Sequence, residues 1–495
     1  MIKATMSRGK ERRMGEVPAV GGSLRRVRYS AGCQPARGMK LGPAAMAWLF
    51  ILAVFLGASI ACRPQPAEKP NFLIILTDDQ RHDTMAAMPQ TVSLIFDQGI
   101  AFQKAYVTTA RCCPSRSTIL TGQYAHTHGV LLNSDQLTGK TVVETLKENG
   151  YRTGLVGKYL NSYPTRAEDP PRPEFDEWIG MISGADGARY TDTSLNVNGV
   201  WQQHTGYQTF ILLDYVLNFL RQSSGEASAP FFLMFSPYAP HLPAQPAPGD
   251  ESLFADIPPH NPPNFNPAEM SGKPAWLQSL SALSDEQIAS IQNDRLNMLR
   301  SLNAVDEAVA QMISELDSLG ELDNTVVIFL SDNGFFWGEH RLATGKIYAY
   351  EESSRIPMAI RYPQLIKEPR VDDHLVANID IAPTLLDLAG IESEGMDGLS
   401  LAPLLRGESN PSWREDLLLE GWPINVAYVG NSPPFQAVHR GDAVYVETEN
   451  DTPELYILSA DPYQLVNEVD NPEHADLLSE MRRRLEAYRL EIPAR

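Results

Sequence analysis

The 495-residue sequence has few cysteines and no internal repeat. Its four cysteines, Cys33, Cys62, Cys112 and Cys113, do not make the disulfide framework of a small secreted domain. No set of Cys and His residues stands at the spacing of a zinc site. These absences argue against a disulfide scaffold, a zinc-finger protein and a solenoid, and they favour an ordinary globular fold.

Positive charge is also scarce. Lys and Arg together number 41, against 61 Asp and Glu, which gives a formal net charge of −20. The first 61 residues are basic, with ten Lys and Arg against two acids, so the remaining chain has a net charge of −28. A body this acidic argues against nucleic acid or an anionic membrane as a partner. An anionic substrate would therefore need a locally basic pocket.

The N-terminal region resembles an export segment. The apolar run 46–56 follows Arg37 and Lys40, and small residues then lead to Cys62. Three forms of processing remain open: lipoprotein cleavage with a lipid on Cys62, secretory cleavage near Ala61, or an uncleaved anchor. We expect an exported, periplasmic or cell-surface protein whose contact with a membrane is limited to such an anchor.

The remaining chain predicts an α/β fold. Continuous apolar runs predict strands buried on both faces at 71–77, 231–235 and 325–331. Helical periodicity predicts helices at 90–98, 141–149, 208–222, 285–319 and 379–389. Strands alternating with helices indicate a largely parallel sheet flanked by helices.

Three parts are expected along the chain. Residues 1–69 form a leader, signal or lipoprotein segment and tether, and residues 70–409 form the catalytic domain. Residues 410–495 form a small α+β subdomain, with strand-like pieces at 416–420, 443–447 and 454–458 and an amphipathic helix at 472–490. The Pro-rich stretch 243–276 is either a rim of the site or a plain surface loop.

Oxygen-bearing side chains follow two of the predicted strands. Asp78 and Asp79 come directly after the first strand, and Asp332 and Asn333 follow the strand at 325–331. In parallel sheets, ligands collect at the carboxyl ends of the strands. Carboxylate and amide oxygens suit Ca²⁺ or Mg²⁺ and not zinc or copper. The pattern predicts a hard-cation site.

A second candidate element begins at Cys112. Pro114 suits the first turn of a helix, so Cys112 is expected at a helix N-terminus, where free amides favour an anion. Arg116 stands four residues later, one turn away on the same face. A reactive sulfur beside a cation and a helix terminus is suited to handling an anion.

Together these motifs resemble the type I sulfatases of the alkaline-phosphatase-like superfamily. The resemblance runs from residue 71 to the C-terminus and rests on the Cys112-Cys113-Pro114-Ser115-Arg116 motif with Leu76-Thr77-Asp78-Asp79, Gly157-Lys158-Tyr159-Leu160-Asn161, Pro240-His241, Ser331-Asp332-Asn333-Gly334, Gly338-Glu339-His340-Arg341-Leu342 and Lys346. It implies the alkaline-phosphatase-like fold. The Gly157–Asn161 string and the double Cys are most similar to the N-acetylglucosamine-6-sulfatase and heparan endosulfatase branch.

The resemblance also implies roles for individual residues. Cys112 would be oxidised to formylglycine by a formylglycine-generating enzyme, and the aldehyde hydrate would be the nucleophile. The Ca²⁺ ligands, with Mg²⁺ as the alternative ion, would be Asp78, Asp79, Asp332, Asn333 and the modified Cys112. Arg116 would hold the hydrate, Lys158 and Lys346 would hold the sulfate, and His241 would protonate the leaving alcohol.

One position departs from the family pattern. Many arylsulfatases have a His two residues after the lysine matched by Lys158, and this chain has Leu160 there. The base for the last step is therefore open, and His128 is a candidate. The expected substrate is a sulfate monoester, on a small molecule or a sulfated glycan. The alternatives are a phosphonate or phosphodiester hydrolase of the same superfamily, and a lipoprotein that binds sulfated glycan without turnover.

Overall fold

The computed structural model describes residues 69–166, 168–182, 190–225, 228–408, 412–426 and 430–491. The predicted export segment, Cys33 and Cys62 lie outside the described residues, as does the predicted boundary at residues 409 and 410. Within the described part, no helix has the length and hydropathy needed to cross a membrane.

A ten-stranded sheet forms the centre of the described chain. Its strands are β1 (Asn71–Thr77), β2 (Ile100–Tyr106), β3 (Arg152–Gly157), β4 (Glu177–Met181), β5 (Ser194–Val197), β6 (Val200–Gln203), β7 (Phe231–Ser236), β8 (Thr325–Ser331), β9 (Met358–Arg361) and β10 (Arg370–Ala377). Their order is β10-β2-β9-β8-β1-β7-β3-β4-β5-β6. The block β8-β1-β7-β3-β4 is parallel, as is the β2–β10 pair. Strand β9 runs antiparallel between β2 and β8, and β5 and β6 add an antiparallel edge. The predicted α/β class with a largely parallel sheet is confirmed.

The α-helices connect and cover these strands. They are α1 (Pro89–Thr91), α2 (Cys112–Thr121), α3 (Ala125–His128), α4 (Val142–Glu148), α5 (Gln208–Ser223), α6 (Ala275–Gln278), α7 (Asp285–Ser318), α8 (Glu351–Ser354), α9 (Ile381–Leu388), α10 (Ala402–Leu405) and α11 (Ala475–Glu491). The 3₁₀ segments are His82–Ala87, Leu322–Asn324, Asn378–Asp380 and Pro472–His474. The predicted helix at 90–98 is wrong in type, because only α1 is α-helical and Val92–Phe96 continues it as a π-helix.

The long helix α7 follows its sequence closely. Ser284 and Gln287 form a capping box at its start, which satisfies two backbone N–H groups that have no partner within the helix. Its apolar side chains, among them Leu302, Val305 and Val309, are fully buried. The helix therefore ends within one residue of the predicted bound.

The alternation of side chains along β1 divides the core into two layers. Phe72, Ile74 and Leu76 point into one apolar cluster, and Leu73 and Ile75 point into the other. The first cluster is covered mainly by α2, α4 and α9, and the second by α5 and α7. Because both faces are buried, residues 72–76 of the strand are all apolar, and the first acidic residues follow its carboxyl end.

The C-terminal part contains the predicted small α+β subdomain. An antiparallel sheet has the order β11-β14-β15-β16, and β12 and β13 form a separate pair. The strands are β11 (Leu417–Gly421), β12 (Ile424–Val426), β13 (Gly430–Ser432), β14 (Phe435–Arg440), β15 (Ala443–Thr448) and β16 (Glu454–Ile457). Met481 and Leu485 of α11 pack on Leu418, Val438 and Tyr445 of this sheet.

Candidate active site

The site begins where β1 and β8 end side by side. The two strands are paired in register from Asn71 opposite Thr325 to Thr77 opposite Ser331, so their carboxyl ends coincide. The amide of Asp332 donates to the carbonyl of Thr77 at 3.1 Å. The amide of Asp79 donates to Asp332 Oδ1 at 3.0 Å, and Asp79 has a φ of 69°. With this left-handed backbone conformation, the Asp79 amide bonds to Asp332 and joins the two strand ends.

Two oxygen atoms in this cluster are buried and have no hydrogen-bond partner. They are Asp79 Oδ2 and Asn333 Oδ1, and the Asn333 amide nitrogen donates to the other Asp79 oxygen at 2.7 Å. A buried oxygen without a donor is costly unless a cation or water satisfies it. Ligand atoms of Asp78, Asp79, Cys112 and His241 all lie within 4.8 Å of one another. The oxygens of Asp78 and Asp79, with those of Asp332 and Asn333 at the neighbouring strand end, fit a hard cation.

Asp332 has a different environment from the other predicted ligands. Its Oδ1 accepts from the Asp79 amide, and its Oδ2 accepts from Arg116 Nε at 2.7 Å. Both oxygens are therefore held by protein donors. The carboxylate still lies at the same strand end as Asn333, with its side chain fully buried.

Cys112 is the first residue of α2 and is 1% exposed. Its Sγ lies 3.5 Å from Asp78 Oδ1, 3.8 Å from Asp79 Oδ1 and 2.9 Å from Lys346 Nζ. Burial raises the pKa of the Cys112 thiol well above its ordinary value, although Lys158 and Lys346 oppose this effect. An unmodified thiol in this position stays protonated and is a poor nucleophile.

Three buried cations match the three carboxylates. Lys158 Nζ donates to Asp78, Lys346 Nζ donates to Asp79, and Arg116 pairs with Asp332. Burial alone would raise the pKa of Asp78, but Lys158, His241 and Arg116 outweigh it and hold that pKa low. Burial likewise favours the neutral amine of Lys346, but Asp79 holds its pKa well above the ordinary value. A divalent cation bound to this balanced cluster would leave it positive, which suits an anionic ester.

His241 lies beside the same carboxylates. Its Nε2 is 3.6 Å from Asp79 Oδ2, and its Nδ1 makes a hydrogen bond to the Leu242 carbonyl at 2.5 Å. Since a carbonyl can only accept, Nδ1 carries the proton and Nε2 is the atom presented to the cleft. Burial lowers the pKa of His241, with Asp79 acting against it.

His128 is not part of this cluster as described. Its Nε2 is 3.1 Å from the Thr118 hydroxyl, and its Nδ1 accepts from the Val130 amide at 3.1 Å. Thr118 is six residues beyond Cys112 on α2, or about 9 Å along the helix axis at the standard rise. The structure therefore brings together all the predicted ligands and cations and His241, while His128 joins α2 to the segment that follows it.

An open cleft of about 830 Å³ leads to these residues. Asp79, His241 and Lys346 line it, as do Leu242 and Pro243, the first residue of the Pro-rich stretch. Two further charged residues, Arg111 and Asp294, also line it and were missed by sequence reasoning. Arg111 could have been noticed because it directly precedes Cys112, whereas Asp294 lies on a long polar helix face and gives no local signal.

Comparisons with known proteins agree with this geometry. A family model described as Sulfatase matches residues 70–391. A second model, described as N-sulphoglucosamine sulphohydrolase, C-terminal, matches residues 338–491. The two matches together extend over all three sheets of the structure.

Relatives of known name are similar over most of the chain. N-acetylglucosamine-6-sulfatase of Homo sapiens is 33% identical over 433 residues, covering 82% of this chain and 75% of the relative. The extracellular sulfatase SULF-1 homolog of Drosophila melanogaster is 34% identical over 378 residues, 71% of this chain but 33% of the relative. The matched part is therefore only about a third of the length of that relative.

A solved structure is also similar. It holds a protein in complex with its substrate D-glucosamine-2-N,6-O-disulfate, and it has a TM-score of 0.75 and 25% identity. The similarity covers 86% of this chain and 98% of the other. Because a sulfatase model matches more than half of its length, and because its motif residues converge at the strand ends, this chain belongs to the sulfatase family.

Proposed function

We propose that this protein hydrolyses a sulfate monoester of a sulfated carbohydrate, with formylglycine formed from Cys112 and a bound Ca²⁺. The observation that carries the proposal is the position of Cys112 Sγ, which lies within 4 Å of Asp78, Asp79 and Lys346 at the start of α2. Membership of the sulfatase family supports the reaction class. The burial-raised pKa of the thiol supports the need for a modified side chain.

The metal would be held by oxygen ligands from both strand ends. These are Asp78, Asp79, Asp332, Asn333 and the modified Cys112, with the partnerless oxygens of Asp79 and Asn333 as the main support. When bound, Ca²⁺ supplies a positive charge that lowers the pKa of a ligated hydroxyl and neutralises charge on the sulfuryl oxygens. Mg²⁺ is the alternative ion, because it binds the same kinds of oxygen ligand as Ca²⁺.

The other side chains would orient the ester and move protons. Lys158 and Lys346 bind the sulfate oxygens, and Arg116 keeps Asp332 and the start of α2 in place. His241 Nε2 faces the cleft, and the imidazolium form, with protons on both ring nitrogens, donates the Nε2 proton to the departing alcohol. Cleavage leaves free sulfate and an alcohol.

A 6-sulfated hexosamine is the proposed type of substrate. One relative is named N-acetylglucosamine-6-sulfatase, and one similar structure holds a glucosamine disulfate. A cleft of about 830 Å³ is within the size range of small-ligand sites. His128 is the candidate base for the last step.

We further propose export of the protein, with residues 1–69 as leader and tether, 70–409 as the catalytic domain and 410–495 as the C-terminal subdomain. The apolar run before Cys62 supports this, and one relative is named an extracellular sulfatase. A formylglycine-generating enzyme would act on the chain during maturation. A lipid on Cys62 would hold it at a periplasmic or surface membrane.

The proposal is tested on protein purified from its native host. Peptide mass spectrometry is expected to give a loss of about 18 Da at Cys112 relative to the thiol. The modified protein should then release sulfate from N-acetylglucosamine-6-sulfate faster than phosphate from the matching phosphate ester. Faster phosphate or phosphonate cleavage would favour the phosphoryl-ester alternative, and glycan binding without any sulfate release would favour the binding lipoprotein.

A further inference from the structure

Arg111 is a buried cation on the wall of the catalytic cleft. It directly precedes Cys112, caps the N-terminus of α2 with extended backbone, and is 3% exposed. The cleft that its side chain lines also contains Lys346 and His241. Consecutive Cα atoms are about 3.8 Å apart, so Arg111 starts next to the nucleophile position.

The guanidinium of Arg111 has no carboxylate partner among the described residues. Its Nη1 donates to the Leu131 carbonyl at 3.2 Å, and its Nη2 donates to the Trp422 carbonyl at 3.1 Å. Both acceptors are uncharged. Asp135, a carboxylate whose charge acts on it, is itself bonded to the Leu131 and Leu132 amides.

The other cations of the site are different in this respect. Lys158, Lys346 and Arg116 each pair with a carboxylate. An arginine guanidinium keeps its charge at neutral pH. A buried charge is costly unless an anion compensates it, and here the open side of the guanidinium is the cleft.

We propose that Arg111 binds a second anionic group of the substrate, a carboxylate or another sulfate, next to the sulfate that is cleaved. This inference rests on the proposed function and deepens it, because it makes the substrate doubly anionic. The guanidinium fork matches either oxyanion with two parallel hydrogen bonds. The Leu131 and Trp422 carbonyls hold the fork in place before the substrate arrives.

Asp294 makes two sides of the cleft electrostatically different. Its carboxylate lines the same cleft from α7, has no hydrogen-bond or ion-pair partner among the described residues, and has a pKa raised by partial burial. Where it is ionised, it repels an anionic group and accepts hydrogen bonds from sugar hydroxyls. The second anion therefore binds on the Arg111 side, and the uncharged part of the sugar faces Asp294.

The test compares three substrates of the modified, calcium-loaded enzyme. N-acetylglucosamine-6-sulfate has one anionic group, glucosamine-2-N,6-O-disulfate has two sulfates, and a disaccharide of uronate and N-acetylglucosamine-6-sulfate adds a carboxylate. Wild type is expected to have a kcat/KM about tenfold or more higher for at least one doubly anionic substrate at low salt. The doubly anionic substrate with the higher kcat/KM identifies the anion, and added salt should reduce this difference in kcat/KM.

Variants then assign the preference to Arg111. In Arg111→Gln the ratio of kcat/KM values is expected to fall to within about twofold of unity, and Arg111→Lys should keep part of it. Formylglycine occupancy is measured for each variant, and the ratio within one variant is independent of that occupancy. Asp294→Asn is the control variant in the same cleft, and its ratio of kcat/KM for the doubly anionic to the singly anionic substrate should stay high.

Three results would overturn the inference: no preference in wild type for either doubly anionic substrate, an unchanged ratio in Arg111→Gln, or an equal loss in Asp294→Asn. Absence of sulfate release from all three substrates by modified enzyme would instead overturn the proposed function. Calorimetric binding of the same compounds to Cys112→Ser protein, with and without Arg111→Gln, then tests the anion site alone. Equal Kd values for singly and doubly anionic compounds would reject it.

Discussion

Arg116 donates its Nε–H to Asp332 at 2.7 Å, and both side chains are completely buried. The same guanidinium donates to the Ser236 hydroxyl at 2.7 Å and to the Lys158 carbonyl at 2.9 Å. One side chain of α2 thus reaches the carboxyl ends of β8, β7 and β3. It fixes the helix that begins with Cys112 relative to the strands that end in the acidic residues.

Replacing Arg116 should lower the stability of the fold as well as disturb the site. Arg116→Met would leave Asp78 and Asp332 as buried charges without this partner, and such losses cost about 3–5 kcal/mol. The matched control is Arg221→Met, whose pair with Glu315 is at the surface and should contribute far less to the free energy of unfolding. Urea denaturation measures both. A loss below about 1 kcal/mol in Arg116→Met would contradict this assignment.

Calcium is expected to stabilise the protein through Asp79. Ligand binding to the folded state adds about 1.4 kcal/mol for each tenfold excess of free ion over its Kd. Thermal unfolding in calcium and in chelator should therefore differ in Tm, and Asp79→Asn should remove most of that difference. The control is Asp373→Asn on the exposed surface of β10, which should leave it intact. An equal calcium response in Asp79→Asn would rule out this site.

Only one of the two adjacent cysteines should be modified. Cys113 Sγ packs 3.5 Å from the Ser162 hydroxyl and lies in the core, whereas Cys112 Sγ faces the acidic cluster. Peptide mass spectrometry should show the loss of about 18 Da in wild type and Cys113→Ser, and not in Cys112→Ala. Sulfate release should follow the same pattern. A loss of about 18 Da that persists in Cys112→Ala would show that Cys112 is not the modified residue.

His241 and His128 should contribute unequally to catalysis. Loss of a general acid costs about 10²–10⁴ in rate. His241→Asn should show such a loss on an alkyl sulfate and a much smaller one on an aryl sulfate, whose leaving group needs less protonation. His128→Asn should lower stability through Thr118 and Val130 more than it lowers kcat. A rate loss in His128→Asn equal to that in His241→Asn, with unchanged Tm, would show that His128 acts as a catalytic base.

Glu352 should make stability depend on pH. One of its oxygens accepts from Asn264 at 2.7 Å and the other is buried without a partner. Burial, and then Glu339, raise its pKa from 4.5 to about 7. The folded state therefore holds an extra proton, and the resulting stability is present below pH 4.5 and lost as the pH rises through about 7.

Glu352→Gln should remove this dependence. Its free energy of unfolding is expected to fall less than that of wild type between pH 5 and pH 8, because its amide does not ionise. Exposed Glu394→Gln is the control and should follow wild type. Chemical denaturation at a series of pH values measures the difference. Parallel curves for Glu352→Gln and wild type would show that Glu352 is ionised throughout.

The sequence by itself determined the parts whose causes are local. The apolar runs of β1, β7 and β8 predict buried strands because both faces of a parallel sheet are covered. The periodicity of α7 predicts its bounds. Asp78 and Asp332 could be assigned to one edge of the sheet because strand ends in a parallel sheet coincide.

Tertiary structure decided which side chains meet across long separations. Arg116 and Asp332 are 216 residues apart, and no local pattern pairs them. The sequence also cannot show that the ring of His128, the candidate base, contacts the Thr118 hydroxyl. No local pattern brings Arg111 and Asp294 into one cleft. Local pattern depends on neighbouring residues, whereas the charge balance of the site depends on strand order and packing, which only the folded chain specifies.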